Sequence, residues 1–158
     1  MALPPRSRRR TMSAMATADL DRLPRHFDWP PSRRDALVSQ LTGALRLDPH
    51  VQAAWLYGSF CRVGCFRDID VGLLLREPWA LRDVGAISTR LWLAAGRPEP
   101  DLDVVPLNSA PPAFRINVAR TGRVLAECWP GAAAEALAQA WRERFDGDAS
   151  RASVGGMP

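Results

Sequence analysis

Residues Trp55–Leu75 read WLYGSFCRVGCFRDIDVGLLL, and this stretch restricts the fold more than any other part of the chain. An apolar strand ends in the turn Gly58-Ser59, a short basic connector follows, and a second apolar strand opens with Asp68-Ile69-Asp70. Strand side chains alternate between faces, so Asp68 and Asp70 point the same way. Two carboxylates on one face repel unless water, a basic side chain or a divalent metal lies between them. Gly58 allows close backbone approach, and Ser59 offers a hydroxyl and an N–H. The pair ends its strand where a helix can begin, and a helix N-terminus suits phosphate. Phosphate donors beside a metal-binding acid pair form a constellation for phosphoryl or nucleotidyl transfer.

The rest of the chain is read around this unit. Residues 1–18 carry little periodicity and many Pro, Arg and Ser, and are expected to be disordered. Met12 and Met15 are alternative starts within them. Residues 19–31 form a transitional loop. Ser32–Leu47 is expected to be a helix capped by Ser32 with Asp35, its stripe Leu37, Val38, Leu41 and Leu45 apolar and its Arg33, Arg34 and Arg46 solvated. Val51–Tyr57 is apolar nearly throughout, as a buried central strand would be, and Asp68–Leu75 is the second strand. Pro78–Ala95 reads as a helix with Leu81, Val84, Ser88, Leu91, Trp92 and Ala95 on one face. Leu102–Leu107 is a third strand whose Pro106 marks an edge or a bulge. Pro111 and Pro112 start a helix closed by Gly122, Arg123–Glu127 is a short strand, and Ala132–Phe145 is an Ala-rich helix. Residues 147–158 are expected to be disordered, which leaves 19–146 as the domain. The order of elements gives an α/β or α+β fold, a small mixed sheet of about four strands with helices packed on it.

At 158 residues the chain fits one domain with a substantial core. Its net charge of +4 disappears once Arg6, Arg8, Arg9 and Arg10 are set aside, so the basic balance gives little support to nucleic-acid binding. Cys61, Cys65 and Cys128 are sparse and odd in number, which suits reduced thiols in the cytoplasm. They lack a second pair at zinc spacing, and Cys61 and Cys65 are expected to be small buried or half-buried residues. No apolar run approaches the roughly 20 residues that span a bilayer. Trp29, Trp79 and Trp129 lie beside prolines, where they fill edges or mark a partner surface.

The stretch around Gly58-Ser59 and Asp68-Ile69-Asp70 resembles the minimal nucleotidyltransferases of the DNA polymerase β-like superfamily. Their mark is a Gly-Ser pair, an Asp-x-Asp at the start of the next strand, and a third Asp on a later strand. Here Asp101-Leu-Asp-Val-Val-Pro-Leu-Asn108 resembles that later strand, with Asp103 as the matching acid and Asp101 as an extra, exposed one. The resemblance covers roughly residues 35–128. It implies the polymerase β-like fold and Asp68, Asp70 and Asp103 as ligands for Mg²⁺, two ions being expected, with Asp103 nearest the attacking hydroxyl. It also implies that Gly58 and Ser59 contact the β- and γ-phosphates of ATP. Arg62 and Arg67 are near enough in sequence to neutralise those phosphates, and Arg62 is taken as the nucleotide-binding one. The connector departs from the family: it is short, and Cys61-Arg62-Val63-Gly64-Cys65 stands where small-Arg-Gly is usual.

Small stand-alone members are commonly antitoxins, so the resemblance implies a HEPN-type toxin as partner, silenced by transfer of AMP onto a tyrosine. Added bulk and negative charge at an RNA-binding site would disable it. The competing readings are transfer to a small molecule, a non-catalytic module that neutralises a partner by stoichiometric contact, and a basic nucleic-acid binder supported only by the Arg-rich start.

Overall fold

The structure is a computed structural model that describes the backbone of residues 25–154 and the side chains of residues 25–147. The expected disorder of residues 1–18 lies outside the described residues. At the centre, β1 (Val51–Tyr57) pairs antiparallel with β2 (Ile69–Leu75). Strand β3 (Leu102–Pro106) adds to β2 in parallel, and β4 (Arg123–Glu127) adds antiparallel to the other side of β1. The spatial order is β3-β2-β1-β4, the small mixed four-stranded sheet that the order of elements predicts. Pro106 ends an edge strand, where its missing N–H breaks no ladder.

Helices cover both faces. On the first, α1 (Pro31–Arg46) and α2 (Leu81–Ala94) pack over the odd-numbered residues of β2. Leu37, Val38, Leu41 and Leu45 of α1 and Val84, Ile87 and Leu91 of α2 meet Ile69, Val71, Leu73 and Leu75. On the second, α3 (Pro112–Thr121) and α4 (Ala132–Val154) cover Ala53, Trp55 and Leu107. A bulge between Val51 and Ala53 shifts the alternation of β1, so Val51 joins the first face with Ala54 and Leu56. Asp48 is buried ahead of β1, where its carboxylate pairs with Arg90 of α2 and accepts a hydrogen bond from the His50 N–H at 2.8 Å.

Several local expectations change. Helix α1 starts at Pro31, with Pro30 at the N-cap and no side-chain cap; proline's preset φ initiates the helix and leaves Ser32 inside the first turn. Helix α2 starts at Leu81 rather than Pro78, because the Asp83 carboxylate accepts the Ala80 N–H at 2.7 Å and fixes the first turn there. Its buried stripe runs through Ile87, leaving Leu81 76% and Trp92 41% exposed. Strand β2 begins at Ile69, one residue past Asp68. Helix α4 continues through residues 147–154, which were expected to be disordered; Ala149 and Ala152 favour helix, and one Gly costs about 1 kcal/mol without ending it. Residues 155–158 lie outside the described residues.

Candidate active site

The parallel register of β2 and β3 sets Asp70 directly beside Asp103. Both point to the second face of the sheet, at the end where β1 stops. Asp68 precedes Asp70 by two residues, and its Oδ1 accepts a hydrogen bond from Ser59 Oγ at 3.1 Å. The same hydroxyl accepts the Arg67 N–H at 3.2 Å. The Ser59 side chain is thus engaged inside the protein, and its backbone N–H is left without an acceptor among the described residues. Gly58 has a φ of 76°, and a Cβ there would stand 3.0 Å from Asp70 Cγ and closer still to Oδ2. Only glycine brings the turn this close to the carboxylate. The expected helix after Ser59 is a single 3₁₀ turn, Ser59–Cys61. The eight-residue connector must spend its remaining length returning Phe66 to the core, so there is no helix N-terminus to receive phosphate.

The three acids act on one another. Burial, then Asp68 and then Asp103 push the Asp70 carboxyl up from 3.8 to about 6, while Arg67 opposes the rise. Tyr57 lies opposite Asp70 in the β1–β2 register, and burial plus the three acids push its phenol up to about 12. Its ring meets Phe114 edge-on at 5.6 Å. The site carries surplus negative charge, the condition that favours a bound cation. Among the described residues no three His, Cys, Asp or Glu side chains close around a point as a cage. An open acid cluster nevertheless fits Mg²⁺, which keeps several waters and is held by one or two carboxylates plus substrate phosphates.

A cleft of about 740 Å³ opens on Asp68 and Asp103, on the β3 side of the acids and away from Gly58 and Ser59. Arg25, Arg67, Trp92 and Asp101 also line it. The Trp92 indole is backed by the Arg97 guanidinium, 5.4 Å from the ring centroid. Trp92, expected on the apolar face of α2, is instead 41% exposed. The Leu81–Leu91 stripe alone does not reveal that the helix is rotated a few tens of degrees the other way.

Arg62 is not brought to the acids. Its side chain is exposed and lines a second cavity of about 540 Å³ with Trp29, Phe60, Cys61 and Arg123. Arg67 is the basic residue whose charge reaches Asp70. Cys65 is an exposed free thiol rather than a buried one, whereas the Cys61 thiol is half-buried and donates to the Leu56 carbonyl at 3.1 Å. Arg34, expected to be solvated, is instead engaged with the connector. Its guanidinium donates to the carbonyls of Phe60 at 2.8 Å, Arg62 at 3.0 Å, and Gly64. Its only sequence signal is an Arg in the first turn of a helix, which says nothing about a loop 26 residues later.

A family model described as "Polymerase beta, Nucleotidyltransferase" matches residues 39–128. No curated protein sequence matches the chain. Among solved structures, an MNT antitoxin complex with a tri-AMPylated Shewanella oneidensis HEPN toxin gives a TM-score of 0.58 at 20% identity, over 77% of this chain and 94% of that one. A toxin–antitoxin structure with AMP-PNP gives 0.57 at 20% identity, over 74% and 94%. The toxin–antitoxin MntA-HepT gives 0.53 at 18% identity, over 79% and 95%. At these identities the likeness is one of fold.

Proposed function

The chain belongs to the polymerase beta nucleotidyltransferase family, and on that footing we propose that it transfers AMP from ATP to a hydroxyl on a partner protein, a HEPN-type toxin. The observation that carries this reading is the register pairing of Asp70 with Asp103 next to Asp68 and the Gly58-Ser59 turn. The partner is supported by the structurally similar antitoxins, one of them solved with an AMPylated toxin and one with AMP-PNP. No helix among the described residues is long and apolar enough to cross a membrane.

In the reaction the acceptor O–H gives up its proton, its oxygen bonds the α-phosphorus, and the bond from that phosphorus to pyrophosphate breaks. Asp68, Asp70 and Asp103 would hold Mg²⁺. When bound, the metal supplies charge stabilisation for the attacking and leaving oxygens. The Ser59 N–H and the open backbone at Gly58 receive the phosphates that leave. Ser59 Oγ keeps the Asp68 carboxylate turned toward the site. Attack must come in line, from the side opposite the leaving group. With the phosphates on the β1 side, the acceptor enters through the cleft on the β3 side, past Asp103, which aligns its hydroxyl. Asp103 is a weak base beside cations and serves first to orient.

Trp92 then packs against the acceptor. Trp92→Ala is expected to raise KM for the acceptor about tenfold and to leave KM for ATP within about twofold. Steady-state kinetics with each substrate varied checks this. A rise confined to ATP would reassign Trp92 to the nucleotide base.

The test of the function is label transfer from ATP in host lysate with Mg²⁺, run once with α-phosphate label and once with γ-phosphate label. The Asp68→Ala/Asp70→Ala variant is the control. A protein band labelled only from the α position, and absent with the variant, is the expected result. No metal-dependent label, together with equal capture of a partner by both proteins, would replace the enzyme with a stoichiometric binding module.

A further inference from the structure

Arg34 is the most connected side chain near the site, and the nucleotidyl-transfer reading gives it no role. It sits in the first turn of α1, yet it reaches the connector between Ser59 and Phe66. Its Nη1 donates to Phe60 O and Arg62 O, its Nη2 to Gly64 O, and its Nε to Trp29 O at 3.4 Å. The guanidinium lies over the rings of Phe60 and Phe66, at 5.1 and 4.8 Å from their centroids. Phe66 is fully buried, so the rings fix the height of the guanidinium above the core. Three alternate carbonyls therefore converge on one planar cation.

That convergence orients the connector backbone. Its peptides are trans, and in a trans peptide the N–H points opposite to the C=O of the same unit. With the Arg62 and Gly64 carbonyls drawn toward Arg34, the N–H groups of Val63 and Cys65 face away from it. Neither has an acceptor among the described residues. Gly64, at a φ of 95°, makes the reversal between them. Phe60 and Phe66 anchor the connector's ends in the core, and between them it borders the 540 Å³ cavity lined by Trp29, Arg34, Val38, Leu56, Phe60 and Cys61 among others. The guanidinium takes up the negative ends of the peptide dipoles next to a turn that is to receive a polyanion. Successive free N–H groups of this kind make anion-binding concavities.

We infer that Arg34 is a positioning residue for the nucleotide: by gathering the carbonyls of Phe60, Arg62 and Gly64 it presents the Val63 and Cys65 N–H groups, with that of Ser59, to the triphosphate. This rests on the nucleotidyl-transfer reading and extends it to a residue on another element. It also accounts for the departure of the connector from the family pattern, since a short loop wrapped around an arginine needs no helix to hold it. Lysine cannot substitute, because one ammonium cannot reach three separated carbonyls in the plane of a guanidinium fork.

The test uses the full chain and a fluorescent ATP analogue with Mg²⁺. Arg34→Lys and Arg34→Ala are expected to weaken binding about tenfold or more, as loss of a supporting contact to a binding group does. At saturating nucleotide the rate of transfer should fall less than the affinity does. Methylguanidinium should restore binding to Arg34→Ala and leave Arg34→Lys unchanged. Arg33→Ala, which removes a guanidinium stacked on Trp29 at 3.8 Å and outside the connector, should bind as the parent does. Hydrogen exchange on the unmutated protein needs no variant: the Val63 and Cys65 amides should gain protection when the nucleotide is added. Parent-like affinity in Arg34→Lys, or unprotected amides in a protein that does bind nucleotide, would overturn the role of Arg34 and leave the enzyme standing. Failure of the unmutated protein to bind any nucleotide would remove both.

Discussion

Asp70→Asn is expected to slow AMP transfer severely and at the same time to stabilise the metal-free protein at neutral pH. Asp70 is crowded by burial, by Asp68 and by Asp103, and its carboxyl is pushed up from 3.8 to about 6. Between those values the folded chain binds a proton that the unfolded chain has released. The stability contributed by this group is thus fully present below about 3.8 and is lost as pH rises through about 6. Above that pH the ionised carboxylate repels its neighbours until a cation arrives. A shift of this size would correspond to about 3 kcal/mol for a fully buried group, but Asp70 is partly exposed and solvent screening reduces it to about 1 kcal/mol. Asn keeps the shape and removes the charge. In EDTA at pH 7.5 the variant should melt about 2–4 °C above the parent, and the difference should close by pH 4. With Mg²⁺ and ATP, transfer should fall by about 10²–10³-fold, because an amide is a far weaker partner for the charge that the reaction develops. Thermal denaturation at the two pH values and single-turnover transfer check both halves. A variant that melts below the parent at pH 7.5, or transfers as the parent does, contradicts the proposed role of the cluster.

Gly58→Ala should cost more in catalysis than in stability. Two effects meet at this position. The backbone at φ 76° and ψ −151° lies in a region essentially confined to glycine, which costs a residue with a side chain about 1–3 kcal/mol. The new methyl also lands on the Asp70 carboxylate. The carboxylate is the movable end of a side chain, so it swings aside and the fold survives. A group displaced by about 1 Å from its working position loses about 10²-fold in rate, and transfer should fall by that order while the protein remains folded and monodisperse. Gly72 is the useful contrast. A methyl there meets Leu107 at 3.1 Å, away from the acids, so Gly72→Ala should lose stability without a selective loss of turnover. Circular dichroism, melting temperature and kcat on the two variants separate the effects. Full activity in Gly58→Ala would show that the Asp70 position tolerates displacement and that the turn does not define it.

Much of this molecule is legible residue by residue. The nearly unbroken apolar runs in Val51–Tyr57 and after Asp68 predict two buried strands, and the spacing of Asp68 and Asp70 predicts that they share a face. Pro111, Pro112 and Gly122 bracket α3, because each acts through its own backbone dihedrals. The acids of the site were legible for the same reason: their orientation follows from local period-two geometry, and the place of Asp103 follows from its resemblance to the family's third carboxylate. Residues 147–154, expected to be disordered from their Gly-, Ser- and Ala-rich composition, continue α4 instead.

What the chain determined by itself is therefore the set of elements and the chemistry they carry: strands with acids at their ends, a glycine turn between them, and helices with apolar stripes. The tertiary structure alone decided which groups meet. Asp70 stands beside Asp103 because β2 and β3 pair in parallel in one register out of several. Arg34 shapes a loop far along the chain because α1 lies across the first face of the sheet. Trp92 faces the cleft because α2 is rotated to bury Ile87. None of these relations has a period or a spacing, since each depends on the rigid-body placement of one element on another, set by the packing of the whole core rather than by neighbouring residues.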